Sequence, residues 1–200
     1  IFNVLATIQN KVLFEEKELA ADYVVKLSKL IRNFLAISHK ANQLIPGQSE
    51  YEITLSKEIE LLMDFIEFEK IKNNNYFDYE IIIDPEIIPD YIMIPPMLIQ
   101  PFVENSIKHG LLLSEKSGNL WLTFKKENED LLVLIEDDGV GMMKSNEIRG
   151  KNNRNHQSLG SKIVRDRIDV LNKLGYQIHI EFYNRIPKGT IVKIILKEEL

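Results

Sequence analysis

The chain has 200 residues, 44% of them apolar, with a formal charge of -5 and no cysteine. That length holds one ordinary domain or two small ones with a packed core, and the acidic balance gives no electrostatic case for a direct nucleic-acid partner. The lack of cysteine excludes disulfides, thiolate metal sites and a cysteine nucleophile, and no run of about 18 uncharged apolar residues is present to cross a bilayer.

In residues 1–45, Leu5, Ile8, Val12 and Leu13 and then Leu19, Tyr23, Val24, Leu27, Leu30, Ile31, Phe34 and Leu35 recur at helical spacing. Two short helices bury little by themselves. They either pack on the rest of the monomer or pair with a second copy in a four-helix bundle. Asn42 to Glu52, with Pro46-Gly47 as a turn, reads as a linker, so that residues 52–200 form a separate domain. Thr54 or Ser56 is placed to cap a following helix, with Glu58 and Glu60 in its first turn to complement the dipole. Ile59, Leu62, Met63, Ile66 and Phe68 carry that helix to a stop at Asn73, Asn74 and Asn75. Tyr79 to Ile83 is a short strand and Asp84-Pro85-Glu86 a turn.

Pro95 and Pro96 suit the first turn of a helix, because proline fixes φ and lacks the N–H that a first turn leaves unused. Leu98, Phe102 and Ile107 mark its apolar side, Gln100, Asn105, Lys108 and His109 its polar one, and Gly110 its expected end. Leu120 to Lys125 and Leu131 to Glu136 read as antiparallel strands. Asp137, Gly139 and Gly141 follow as Asp-x-Gly-x-Gly, where glycines permit a sharp turn or a close approach. Met143 to Gln157 is polar and lacks periodicity, which marks a long surface loop, either a lid or binding loop or a disordered tether without function. Ser158 is placed to cap the helix Leu159 to Leu174, which ends at Gly175. Gln177 to Tyr183 and Ile191 to Leu196 close the chain as strands. The fold class is α+β, with a mixed sheet covered by helices on one face.

The ordered set Glu-Asn-x-x-Lys-His, Asp-x-Gly-x-Gly, Ser-Leu-Gly and Gly-Thr resembles the ATP-binding module of sensor histidine kinases, gyrase-type topoisomerases, the ninety-kilodalton heat-shock chaperone and mismatch-repair ATPases. Within it, PPMLIQPFVENSIKHG is similar to the N-box of LytS-type sensor histidine kinases, and Ile1, Phe2 and Asn3 match the end of that family's phosphoacceptor segment. The resemblance implies an N-terminal helical hairpin for dimerisation and phosphotransfer, followed by an α/β-sandwich ATPase domain of the histidine kinase and gyrase type. There is no Gly-x-x-x-x-Gly-Lys-Ser/Thr loop, so a Walker-type site is not expected.

By the same resemblance, Asn105 is the Mg²⁺ ligand, a hard oxygen donor for an ion that takes few protein ligands. Asp137 accepts from the adenine amino group, Gly139 and Gly141 let the strand end approach the base, and Thr190 supports the adenine through water. Lys108 and His109 are phosphate-side contacts, unless they are helix-end charges complementing the dipole. Ser158 and Gly160 belong to the second glycine box, whose usual first glycine and final leucine are here Ser158 and Ser161. Asn3 lies next to the phosphoacceptor histidine, which on this match falls just upstream of Ile1, so the chain itself is not expected to autophosphorylate there. Pro101 stands where hydrolysing members carry a water-activating glutamate, which favours phosphotransfer over hydrolysis. Glu104 is left to orient Lys108 at i+4 or to support the metal shell.

The implied cofactors are ATP and Mg²⁺. The implied partners are a second copy and the receiver domain of a response regulator with a DNA-binding output, and the implied location is the cytoplasmic part of a bacterial inner-membrane protein. The chain starts without methionine and in mid-motif, so membrane-spanning and sensory segments are expected upstream. The altered second glycine box keeps open a different reading, a degenerate nucleotide-binding or dimerisation scaffold.

Overall fold

A computed structural model describes Val25, Ser28, residues 52–142 and residues 159–197. Val25 and Ser28 are helical; the rest of the N-terminal helical patterns, the linker over residues 42–51 and the loop Met143–Gln157 lie outside the described residues. The chain divides into two compact units, one described over residues 52–76 and Pro89–Ile99, the other over Phe77–Ile88 and residues from Gln100 onward.

In the first unit, β1 (Ile53–Thr54) leads directly into α1 (Leu55–Lys72) and pairs antiparallel with β3 (Met93–Ile94). The expected cap is Thr54, whose hydroxyl accepts from the Lys57 N–H at 3.2 Å. Leu55, Ile59, Leu62 and Ile66 recur at helical spacing and are all buried, as that spacing requires of a core-facing stripe. The expected stop holds too: the Asn73 amide donates to the Glu69 carbonyl at 2.7 Å, and Asn74 and Asn75 turn left-handed at φ 53° and 54°. Asparagine enters that region more readily than most L-residues.

Glu58 lies in the first turn, as expected, and does more than complement the dipole. Its carboxylate is 1% exposed and accepts from the N–H groups of Met97 at 2.8 Å and Ile99 at 3.2 Å. Those bonds go with a left-handed Met97 (φ 56°), a conformation incompatible with a right-handed helix at that point. The helix expected to begin at Pro95 and Pro96 therefore begins five residues later, at Gln100.

The second unit is a five-stranded mixed sheet in the order β2-β4-β5-β7-β6, made of β2 (Phe77–Ile83), β4 (Gly118–Glu127), β5 (Asp130–Asp137), β6 (Ile178–Asn184) and β7 (Thr190–Leu196). β2 runs parallel to β4 and all other pairs are antiparallel. The register lines up Leu122, Ile135 and Val192, and likewise Phe124, Val133 and Ile194, across one face, where all six are buried. Strand alternation thus gives the core. The opposite face carries Trp121 beside Glu136, with the Arg185 guanidinium 4.5 Å from the Trp121 ring centre.

Short helix α2 (Gln100–Asn105) runs into a π-helical turn (Ser106–Leu111), which packs on β4 and β5. Leu98, Phe102 and Ile107, the predicted apolar side, are all buried. Phe102 meets Phe182 of β6 with ring centres 6.2 Å apart. Helix α3 (Leu159–Lys173) packs on β6 and ends, as expected, before a left-handed Gly175.

Replacing Glu58 with alanine strands two buried N–H groups. Each unsatisfied group costs on the order of 1–3 kcal/mol. Chemical denaturation of Glu58→Ala is expected to show a loss of about 3 kcal/mol, with Glu58→Gln losing less because it keeps one acceptor.

Candidate functional site

Strand β5 ends at Asp137, opposite Leu120 of β4 and Thr190 of β7, and its side chain falls on the buried face. The next residue points its carboxylate elsewhere: Asp138 is taken up by the backbone N–H of Asn119 at 2.7 Å and by that residue's amide at 3.2 Å. Two adjacent acids therefore have separate tasks. Asp137 is 1% exposed, and its acceptors are met by the Gly139 N–H at 3.0 Å, the backbone of Thr190 and the Ser106 hydroxyl.

Burial pushes the Asp137 carboxyl up from an ordinary 3.8 to about 6, and the neighbouring charge of Asp138 pushes the same way against the three hydrogen bonds. Among the described residues, no cation is one of the groups acting on it. A desolvated acid with acceptor capacity and no counter-charge is suited to a neutral hydrogen-bond donor.

Backbone packs closely against this acid. A Cβ on Gly110 would come within 2.6 Å of Asp137 Oδ1, and one on Gly139 would overlap the Gly110 main chain. The Val140 N–H donates to the Gly110 carbonyl at 3.1 Å, locking the two segments together. Gly110 was expected to end the helix, but it lies inside the π-turn, which closes by a Leu112 N–H to Ile107 carbonyl bond of 2.9 Å. The wider turn brings a residue without a side chain against the carboxylate, which an ordinary stop would not do. Gly189 (φ 115°) approaches the Asp137 carbonyl too closely for any Cβ, and Gly141 (φ 79°) is also left-handed.

The other predicted residues fall as follows. Asn105, the last residue of α2, is exposed and its carboxamide makes no capping bond. It directly precedes Ser106, so the chain brings it to the same corner as Asp137. Lys108 pairs with Glu104 one turn earlier, as i+4 spacing allows, and His109 is half-buried on the same π-turn. Thr190 opens β7 and reaches Asp137 through its backbone. Gly160 is the second residue of α3. Asn3 and Ser158 lie outside the described residues, as do His39 and His156.

Sequence reasoning missed Ser106, Gly110 as a close neighbour of the acid, and Gly189. A faint signal existed for the first, since Asn105 and Ser106 place two poor helix formers side by side.

The described residues hold no group of three or more His, Cys, Asp or Glu side chains able to grip a metal ion. The Asn105 carboxamide oxygen is a hard donor of the kind accepted by an ion that shares most of its coordination with phosphate and water, and the Asp137 carboxylate is of the kind that accepts from an amino group.

Residues 96–200 match the model of the family described as histidine kinase-, DNA gyrase B-, and HSP90-like ATPase, and residues 1–77 match that of the histidine kinases. The chain belongs to the histidine kinase-, DNA gyrase B- and HSP90-like ATPase family. Among relatives of this ATPase, the sensor protein LytS of Oceanobacillus iheyensis is 30% identical over 98% of this chain and 32% of that protein. The sensor histidine kinase BtsS of Escherichia coli is 30% identical over 69% of this chain and 22% of that protein. The chain thus spans about a third or less of the length of these relatives. In fold, it is similar to the histidine kinase domain of the Erythrobacter litoralis EL346 blue-light activated histidine kinase, at a TM-score of 0.51 and 19% identity over 96% of this chain and 80% of that one. The α+β architecture read from the sequence is that of this ATPase family.

The raised Asp137 acid has a consequence for stability. The folded state holds its proton more tightly than the unfolded chain, so its contribution is fully present below about pH 3.8 and is lost as pH rises through about 6. The full effect is roughly 3 kcal/mol. In the nucleotide-free protein, Asp137→Asn is expected to flatten this part of the pH–stability curve and to melt higher than wild type above pH 6; an unchanged slope in denaturation across that range contradicts the assignment. Gly110→Ala is expected to lower the melting temperature, because the new methyl and the Asp137 carboxylate cannot both keep their places.

Proposed function

We propose that the second unit binds Mg²⁺-ATP and that the chain is the catalytic cytoplasmic part of a sensor histidine kinase. In the whole protein, the γ-phosphoryl group leaves ADP for a histidine just upstream of Ile1, and then passes to an aspartate on the receiver domain of a response regulator. The observation that carries this reading is the Asp137 carboxylate, buried without a counter-cation inside a cradle of glycine backbone. An exocyclic amino group offers the donor that this acid lacks. A base with a carbonyl there places acceptor against acceptor, so the same geometry selects adenine.

Asn105 would hold Mg²⁺, which when bound offsets the charge of the triphosphate. Lys108 is held by Glu104 in the nucleotide-free protein and is the nearest cation in sequence to that corner. Its exchange from carboxylate to phosphate gives charge-assisted hydrogen bonds in place of a half-exposed ion pair worth little by itself. His109, Gly139, Gly141, Ser158, Gly160 and Thr190 complete the site, with the loop Met143–Gln157 as its lid.

Pro101 supports transfer over hydrolysis. It sits within α2 one turn before Asn105 and has no group able to take a proton from water. A second copy of the chain is expected to pair through the helical patterns of residues 1–45, one of the two ways their apolar stripes can be buried. Among the described residues no helix is long and apolar enough to cross a membrane.

Calorimetric titration of the folded chain with Mg²⁺-ATP tests the reading, which fails if no binding is seen at millimolar nucleotide. Asp137→Asn is expected to cost at least about tenfold in ATP affinity, since the carboxamide replaces one acceptor and leaves a hydrogen bond to a charged group unmade. Asn105→Asp is expected to alter the Mg²⁺ dependence of binding while leaving the fold melting normally.

A further inference from the structure

Asp137 takes hydrogen bonds from three donors, and they differ in kind. The Gly139 and Thr190 groups are backbone, fixed by the strand ends on which they sit. The third is a side-chain hydroxyl from another element, the first residue of the π-turn, and Ser106 is itself only 5% exposed. Nothing in the reading above gives it a task. A buried hydroxyl aimed at a buried carboxylate, next to the residue assigned to the cation, is too constrained to be a mere filler of space.

We propose that Ser106 is a positioning residue that fixes the Asp137 carboxylate as an acceptor toward the base, and so sets the preference for a purine with an amino group over one with a carbonyl at that place. The inference deepens the nucleotide reading and rests on it. An ionised carboxylate presents only acceptors, whereas a neutral acid presents one O–H donor. The donor form suits the carbonyl of guanine, the acceptor form the amino group of adenine. Burial and the charge of Asp138 both favour the neutral form, and the donors from Gly139, Ser106 and Thr190 oppose them. Of those three, only the Ser106 donor can be deleted without rebuilding the backbone. Its loss frees the carboxylate to rotate and raises its neutral fraction, and both changes weaken the discrimination.

The test uses the full 200-residue chain, with dissociation constants for Mg²⁺-ATP and Mg²⁺-GTP measured by calorimetry at neutral pH on wild type, Ser106→Ala and Ser106→Thr. Ser106→Ala is expected to bind ATP about tenfold more weakly, the effect of losing one hydrogen bond to a charged group, with GTP unchanged. The ATP-to-GTP preference therefore falls about tenfold, and Ser106→Thr, which keeps the hydroxyl, restores it. A second readout is the pH at which ATP affinity begins to decline on acidification, which is expected to move upward in Ser106→Ala. A residue that only filled space would weaken both nucleotides together and leave that pH in place; either result in a variant that melts like wild type overturns the inference. If Ser106→Ala does not fold, Ser106→Cys replaces it, with nearly the same volume and a much weaker donor; a wild-type preference in Ser106→Cys overturns the inference equally. Absence of ATP binding by wild type sinks the nucleotide reading and this inference with it, whereas normal wild-type binding with an unaltered preference in the variants sinks this inference alone.

Discussion

One carboxylate, buried at the end of a central strand and left without a counter-charge, governs how the second unit is built. Asp137 occupies the position on β5 where strand alternation sends its side chain into the core, in register with Leu120 and Thr190. An acid there is costly unless its acceptors are met. The surrounding backbone meets them: the chain turns immediately so that the Gly139 N–H returns to Asp137, and β7 starts at Thr190 so that its backbone does the same. Those demands explain the glycines better than flexibility does. Gly110 and Gly139 are small because main chain and carboxylate pass within contact of one another, and Gly189 because the Asp137 carbonyl fills the space a side chain would need.

The same interaction accounts for the irregular helix. An α-helix through residues 106–111 would keep the regular ladder, and Gly110 would be an ordinary helix end. Instead, the turn widens to a π-helical one, with Ser106 facing the acid and the Gly110 carbonyl accepting from Val140. A widened turn forfeits regular hydrogen-bond geometry and is retained where it places a group that the regular helix cannot. Here it places two, a hydroxyl donor and a bare Cα, on either side of one carboxyl. A desolvated acid in the core costs stability that its hydrogen bonds only partly offset.

The sequence disclosed those parts of the fold that depend on local chemistry. Strand alternation gave β4 and β5, the stripe Leu55, Ile59, Leu62 and Ile66 gave α1, and caps and stops at Thr54, Asn73 and Gly175 were legible because they rest on residue types at fixed offsets. Asp137 stood out through its motif as the acid that ends β5, and Asn105 through its own as the residue that closes α2. What stayed hidden are contacts between residues far apart in the chain. Glu58 looked like a dipole charge because nothing within a few residues shows that it serves N–H groups about 40 positions later. The proline pair looked like a helix start for the same reason, since the left-handed Met97 that delays the helix goes with those distant bonds. Ser106 carries no motif of its own.

The contrast between Glu58 and Asp137 separates two ways of burying an acid. Both are 1% exposed. Glu58 receives two backbone N–H groups from a segment it helps to shape. Asp137 receives three donors and still has its proton affinity raised, because burial outweighs them all. An ionised carboxylate has about four acceptor sites and three donors reach this one, so a further donor would be met by an acceptor already oriented and already dry. Pre-orientation of that kind removes ordering costs from the binding step. It also makes the choice of ligand a matter of donor against acceptor at one atom, where a mismatch leaves a buried polar group unpaired and is penalised far more than a difference of shape.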